Sequence, residues 1–161
     1  MADLSITFDV SNVSSALSDA SSAASNAMSK ITARSAAWDR KTMILQPMGY
    51  SSVVEDGAEH RFAIPGDLSG YNLVSCGAHA WTPPTSGTMQ IKISNITAAS
   101  QVLTSNMTID STESDTVTAA SQAVIDTGED DVQTGVELRV YASDAASGAK
   151  GLSFRLGFEK P

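Results

Sequence analysis

Residues that carry chemistry are scarce in this chain. Among 161 residues there are one cysteine and two histidines, aromatics make up 6% and charged residues 17%. A lone cysteine, Cys76, excludes an internal disulfide, and no metal-ligand spacing surrounds it. Cys76 falls in the apolar register of a predicted strand, which gives it the role of a small buried hydrophobe. With so few histidines a zinc centre lacks its third and fourth ligands. His60, between Glu59 and Arg61, reads as a solvated residue in a charged turn, and His79 near Trp81 as a packed or interface residue. Positive charge is short as well. Ten Lys and Arg face eighteen Asp and Glu, for a net charge of −8. An acidic surface is repelled by nucleic acid and by anionic membranes, so neither is an expected partner. No stretch approaches the roughly 20 apolar residues of a membrane span. Met1-Ala2-Asp3 does not open a signal peptide, so synthesis in a cytoplasm is expected.

Sequence motifs of catalysis are equally sparse. There is no G-x-S-x-G elbow, no P-loop and no G-x-G-x-x-G. Gly148-Ala149-Lys150-Gly151 lacks the Ser/Thr and helix that follow a phosphate loop and reads as a turn. The acidic run Asp126–Asp131 lacks the EF-hand order and reads as a solvated turn. Sequons begin at Asn12, Asn95 and Asn106, but without a signal peptide they are chance matches. The expectation is a non-enzymatic protein with no catalytic residue, no cofactor and no metal.

Ser, Thr and Ala are abundant, and they are arranged in periods. Over residues 4–10, Leu4, Ile6, Phe8 and Val10 alternate with polar residues, which predicts a short strand or extended arm. Over 11–37 the period changes. Val13, Leu17, Ala20, Ala24, Ala27 and Ile31 are spaced 4, 3, 4, 3, 4, a heptad seam on a helix without internal Gly or Pro. Ser11 or Asn12 suits its N-cap. Three seam positions are Ala, and at about 0.8 kcal/mol per buried carbon such a seam is weak alone. The helix therefore packs with copies of itself, as in a trimeric coiled coil, or docks on a host surface, or folds back on its own β-domain.

Residues 41–67 read as a connector with short apolar pieces at 42–45, 53–54 and 61–64 and a turn at Asp56-Gly57. From 68 to 161 the pattern is all β, with strands expected at 71–82, 88–96, 101–110, 116–125, 136–142 and 151–158. Pro83-Pro84-Thr85-Ser86-Gly87 and Ala145-Ala146-Ser147-Gly148 suit turns between them. No helices alternate with the strands, so the sheets are antiparallel and the expected fold is a jelly-roll-like sandwich. Val136, Leu138 and Val140 share one face of a strand, and Leu152, Phe154, Leu156 and Phe158 one face of the last. In 71–82, Val74, Cys76, Ala78 and Ala80 fall on one face and Tyr71, Leu73, His79 and Trp81 on the other. The second face needs a cover, which a homo-oligomer would supply.

The order Tyr71-Asn72-Leu73-Val74-Ser75, Thr82-Pro83-Pro84-Thr85-Ser86-Gly87, Ala123-Val124-Ile125, Thr134-Gly135 and Gly148-Ala149-Lys150-Gly151-Leu152 resembles the C-terminal β-domain of tailed-phage virion proteins. These are head fibres, capsid decorations, collar proteins and tail fibres. The resemblance covers about residues 68–158, with an added Pro at Pro83-Pro84. It implies a trimer-forming jelly roll attached to a particle through an N-terminal helix or arm. The expected protein is a homotrimeric head fibre, decoration or collar component located in the virion. Its partners are itself and, through residues 1–40, a major capsid, neck or tail protein. The competing expectation is a receptor-binding tip that recognises a host-surface glycan; Tyr71, His79, Trp81 and Tyr141 are the candidate interface or glycan contacts, with Tyr50 as a further aromatic of interest.

Overall fold

The computed structural model describes the backbone of residues 10–161 and the side chains of 14–31 and 39–161. The arm read over residues 4–10 lies outside the described residues up to Asp9, and so does the side chain of seam residue Val13. The chain divides into two units, with the boundary between Asp39 and Arg40.

The first unit contributes one helix, α1 (Val10–Trp38), of 29 residues. At 1.5 Å per residue it is about 43 Å long. It forms because Ala and Ser alternate without a breaker, and Ser29 Oγ returns a hydrogen bond to the Ser25 carbonyl at 3.0 Å. Every residue from 14 to 31 is exposed, Leu17 and Ile31 by 71% and 63%. The apolar seam is thus real in sequence and solvated in the single chain.

The second unit is mainly β and wholly antiparallel. Its strands are β1 (Arg40–Leu45), β2 (Glu59–Ala63), β3 (Tyr71–Thr82), β4 (Met89–Asn95), β5 (Ser100–Gln101), β6 (Leu103–Ser105), β7 (Met107–Ile109), β8 (Val124–Ile125), β9 (Asp131–Val132), β10 (Glu137–Asp144) and β11 (Lys150–Glu159). One sheet has the order β1-β11-β3-β9; a second has β2-β10-β4-β5, with β7 also on β4; β6 and β8 form a small ribbon. Residues 41–67, read above as a connector, supply β1 and β2, which lie at one edge of each main sheet.

The two main sheets share one core. Leu138, Val140 and Ala142 of β10 and Met89, Ile91 and Ile93 of β4 are buried against Leu152, Phe154, Leu156 and Phe158 of β11. Register sets large residues beside small ones: Phe154 is opposite Ala78, Leu152 opposite Ala80, and Leu156 opposite Cys76. That pairing lets a full-size aromatic layer fit without overpacking. Burial of each such side chain is worth roughly 1.5–3 kcal/mol.

The strand faces of β3 need correction. The ladder steps from Ser75–Gly157 to Leu73–Phe158, which leaves Val74 as an extra residue in β3. A bulge of this kind reverses the alternation beyond it. Leu73 and Ala78, of opposite parity, are therefore both buried, while Val74 is 42% exposed. Tyr71 packs toward the core and only His79 and Trp81 remain on the outer face.

Two expected strands are broken. Residues 101–110 pair first with β4, then leave to meet β8, then return to β4. Of 116–125 only Val124–Ile125 is strand. Thr116 Oγ1 accepts the Ala78 N–H at 3.1 Å, and the Gln122 amide donates to the carbonyls of Thr116, Val117 and Ala119. Side chains here take up backbone groups that a ladder would require. Within 126–131 the first half is a turn, as expected, but Asp130 is buried and Asp131 begins β9 beside Asn72.

Candidate functional site

Alternation in β11 that buries Leu152, Phe154 and Leu156 turns Ser153 and Arg155 outward. Ser153 lies opposite His79, Arg155 opposite Gly77, and Ile44 of β1 opposite Arg155 on the other side. Beyond β3, the segment 114–116 pairs with Ala78 and Ala80 through the Thr116 N–H and the Ser114 carbonyl, which sets Asp115 opposite His79. Ile44, Gly77, His79, Asp115, Ser153 and Arg155 together line an open groove of about 270 Å³ on the outer face of this sheet.

Gly77 is the floor of the groove. A Cβ there would meet Thr116 Oγ1 at 3.3 Å and the Arg155 guanidinium at 3.5 Å, so the arginine lies across a position that tolerates no side chain without movement. Arg155 is exposed and has no hydrogen bond or ion pair among the described residues. By contrast Arg40, Lys41, Arg61 and Arg139 are each held by a carboxylate. His79 Nδ1 stands 3.7 Å from Asp115 Oδ2, too long for a direct hydrogen bond. Ser153 Oγ reaches the His79 carbonyl only at 3.5 Å.

An aromatic group adjoins the groove at His79. The Trp81 ring lies 5.3 Å from His79 and 4.4 Å from Tyr50, with both interplanar angles near perpendicular (89° and 81°). Trp81 is 50% and Tyr50 59% exposed. Perpendicular ring contacts are favourable and fix the indole plane.

The four residues named as interface or glycan contacts do not converge. His79 lines the groove and Trp81 stands against it, outside the lining. Tyr71 sits on the other side of the bulged strand with Lys41 Nζ 4.9 Å from its ring. Tyr141 belongs to β10 in the second sheet, under the Arg139 guanidinium at 3.9 Å. The seam residues Leu17, Ala20, Ala24, Ala27 and Ile31 are exposed on α1. His60 is in β2 rather than in a turn, half-buried with its ring stacked 6.2 Å from Phe62. Burial pushes the Cys76 thiol up to about 11, in keeping with packing against the core.

Arg155 and Ser153 were legible as the polar alternates of the last strand. Asp115 was not, because a loop without periodicity delivers it. Among the described residues no group of three His, Cys, Asp or Glu side chains is placed to hold a metal ion, and no helix is long and apolar enough to cross a membrane.

Compared with family models, with curated proteins and with solved structures, the chain matches none.

Proposed function

We propose that this protein is a non-enzymatic structural component of a tailed-phage-like particle, a homotrimer whose α1 helices pack along the heptad seam as a coiled coil. Residues 1–40 attach it to a capsid, neck or tail subunit, and the β unit, read as a jelly-roll-like sandwich, projects outward as a head fibre, decoration or collar element. The observation that carries this reading is α1: 29 residues with a heptad apolar seam and every described side chain solvated in the single chain. An isolated helix with so little apolar area is marginal in water, and association along the seam is the arrangement that stabilises it.

Native mass spectrometry of the full chain tests the assembly, with a trimer expected at micromolar concentration and a monomer alone overturning it. Gold-labelled antibody to residues 68–161 on intact particles tests the location. Gold on capsid or neck supports the reading, and absence of label from purified particles refutes it.

A second reading is favoured by the groove: a receptor-binding tip that recognises a host-surface glycan. Gold confined to the distal tail would select it.

A further inference from the structure

We infer that the groove lined by Arg155, together with the Trp81 ring that adjoins it at His79, binds an acidic oligosaccharide, the guanidinium taking a sugar carboxylate and the indole a sugar ring. The inference rests on the receptor-tip reading and adds the charge of the ligand and the residues that read it. It does not depend on the oligomeric state.

Charge supplies the first argument. On a chain of net charge −8, several lysines are unpaired, but among the arginines with described side chains Arg155 alone lacks a carboxylate partner, and it is exposed. The nearest groove carboxylate, Asp115, faces His79 and makes no ion pair with Arg155. The planar guanidinium fork matches a carboxylate with two parallel hydrogen bonds. A long polyanion such as nucleic acid is disfavoured by the surrounding acidic surface, whereas a sugar bearing single carboxylates is not.

Geometry supplies the second. Trp81 stands at the level of Gly151, four residues along β11 from Arg155, about 13 Å away at the rise of a strand. That span exceeds one pyranose ring and suits a di- or trisaccharide. Between the two ends Ser153, His79 and Asp115 present hydroxyl, imidazole and carboxylate groups whose existing contacts, at 3.5 and 3.7 Å, are long and easily exchanged for sugar hydroxyls. The indole is half exposed and already braced by Tyr50 and His79, so little ordering is lost when a ring stacks on it.

Isothermal titration of the full chain tests this with trigalacturonate, a glucuronate-terminated and a sialate-terminated oligosaccharide, their carboxyl-reduced neutral counterparts, and glucose 6-phosphate. At least one acidic probe is expected to bind about tenfold or more tighter than its neutral form, the worth of one charge-assisted contact. Arg155→Gln should abolish that difference and Arg155→Lys restore part of it, while Trp81→Ala weakens acidic and neutral forms alike. Equal binding of neutral and acidic forms overturns the charge assignment while keeping the glycan reading. No binding by any probe at millimolar concentration overturns both. Tighter binding of the sugar phosphate, an unchanged Arg155→Gln variant, or a variant whose only change is its oligomeric mass also overturns the inference.

Discussion

The Trp81 indole occupies the space that a side chain at residue 151 would need. A Cβ at Gly151 would lie 2.9 Å from indole Cδ1 and 2.8 Å from the Tyr50 carbonyl oxygen, and the backbone there has φ +59°. Gly151, the second residue of β11, is therefore what seats the aromatic group beside the groove. Gly151→Ala is expected to cost about 1–2 kcal/mol from the left-handed backbone alone, with the contacts to Tyr50 and Trp81 adding to it. Urea melts give the loss, and a changed near-ultraviolet dichroism at the same mutation reports the displaced indole.

Phe154 and Ala78 are register partners on the buried face. Phe154→Ala should destabilise the fold by about 3–5 kcal/mol, because a large cavity opens between two sheets that cannot close on it. Ala78→Leu, at the same place, should cost about 1–3 kcal/mol by overpacking. A chemical denaturation series checks both, and a harmless Ala78→Leu would contradict the large–small pairing.

Alkaline stability should depend on Cys76. Its thiol is raised by burial to about 11, so the folded protein holds a proton that the unfolded chain releases near pH 9. The associated stability is present in full below pH 9 and is lost as pH climbs toward 11, by about 3 kcal/mol at most. Cys76→Ala should flatten the fall in melting temperature between pH 9 and 11. The same burial should make the native thiol slow to react with iodoacetamide at pH 8.

Leu17 is the largest described seam residue toward the start of α1 and is 71% exposed in the single chain. Leu17→Asp should reduce the assembled mass seen in sedimentation. The melting transition of the β unit should not move, because the substitution touches none of its core.

The sequence revealed most where one face of a strand is buried without interruption. β11 and β10 were legible to within a residue or two because Leu152 to Phe158 and Val136 to Val140 alternate strictly. β3 had the right ends and half the wrong faces, since nothing in Leu73-Val74-Ser75 announces a bulge that the partner strand imposes. The 116–123 stretch reads as strand by composition, yet the Gln122 amide and Thr116 hydroxyl settle it as a loop through contacts invisible to periodicity. For the groove, the outward residues of β11 were readable and Tyr50 beside it was picked out by its aromatic type, whereas Asp115 arrives from a loop and had no pattern to show it. Tyr141 and Tyr71 lie apart from Trp81 in the single chain, because aromatic type says nothing about which sheet or side carries a residue.

Arg40 and Glu159 are register partners in the outermost ladder, and their side chains bond at 2.9 Å. The β unit thus begins and ends at one spot, with its first and last residues separated by a single interstrand step. A short peptide can join these ends, and the chain can be reopened elsewhere on the rim to give a circular permutant with the same sheets. Read as topology, the β unit is nearly a closed ring. Whatever precedes Arg40 and whatever is fused after Pro161 must leave from the same pole, while the turns at 83–87 and 145–148, knit together by Thr85 and Ser147, stand at the far one.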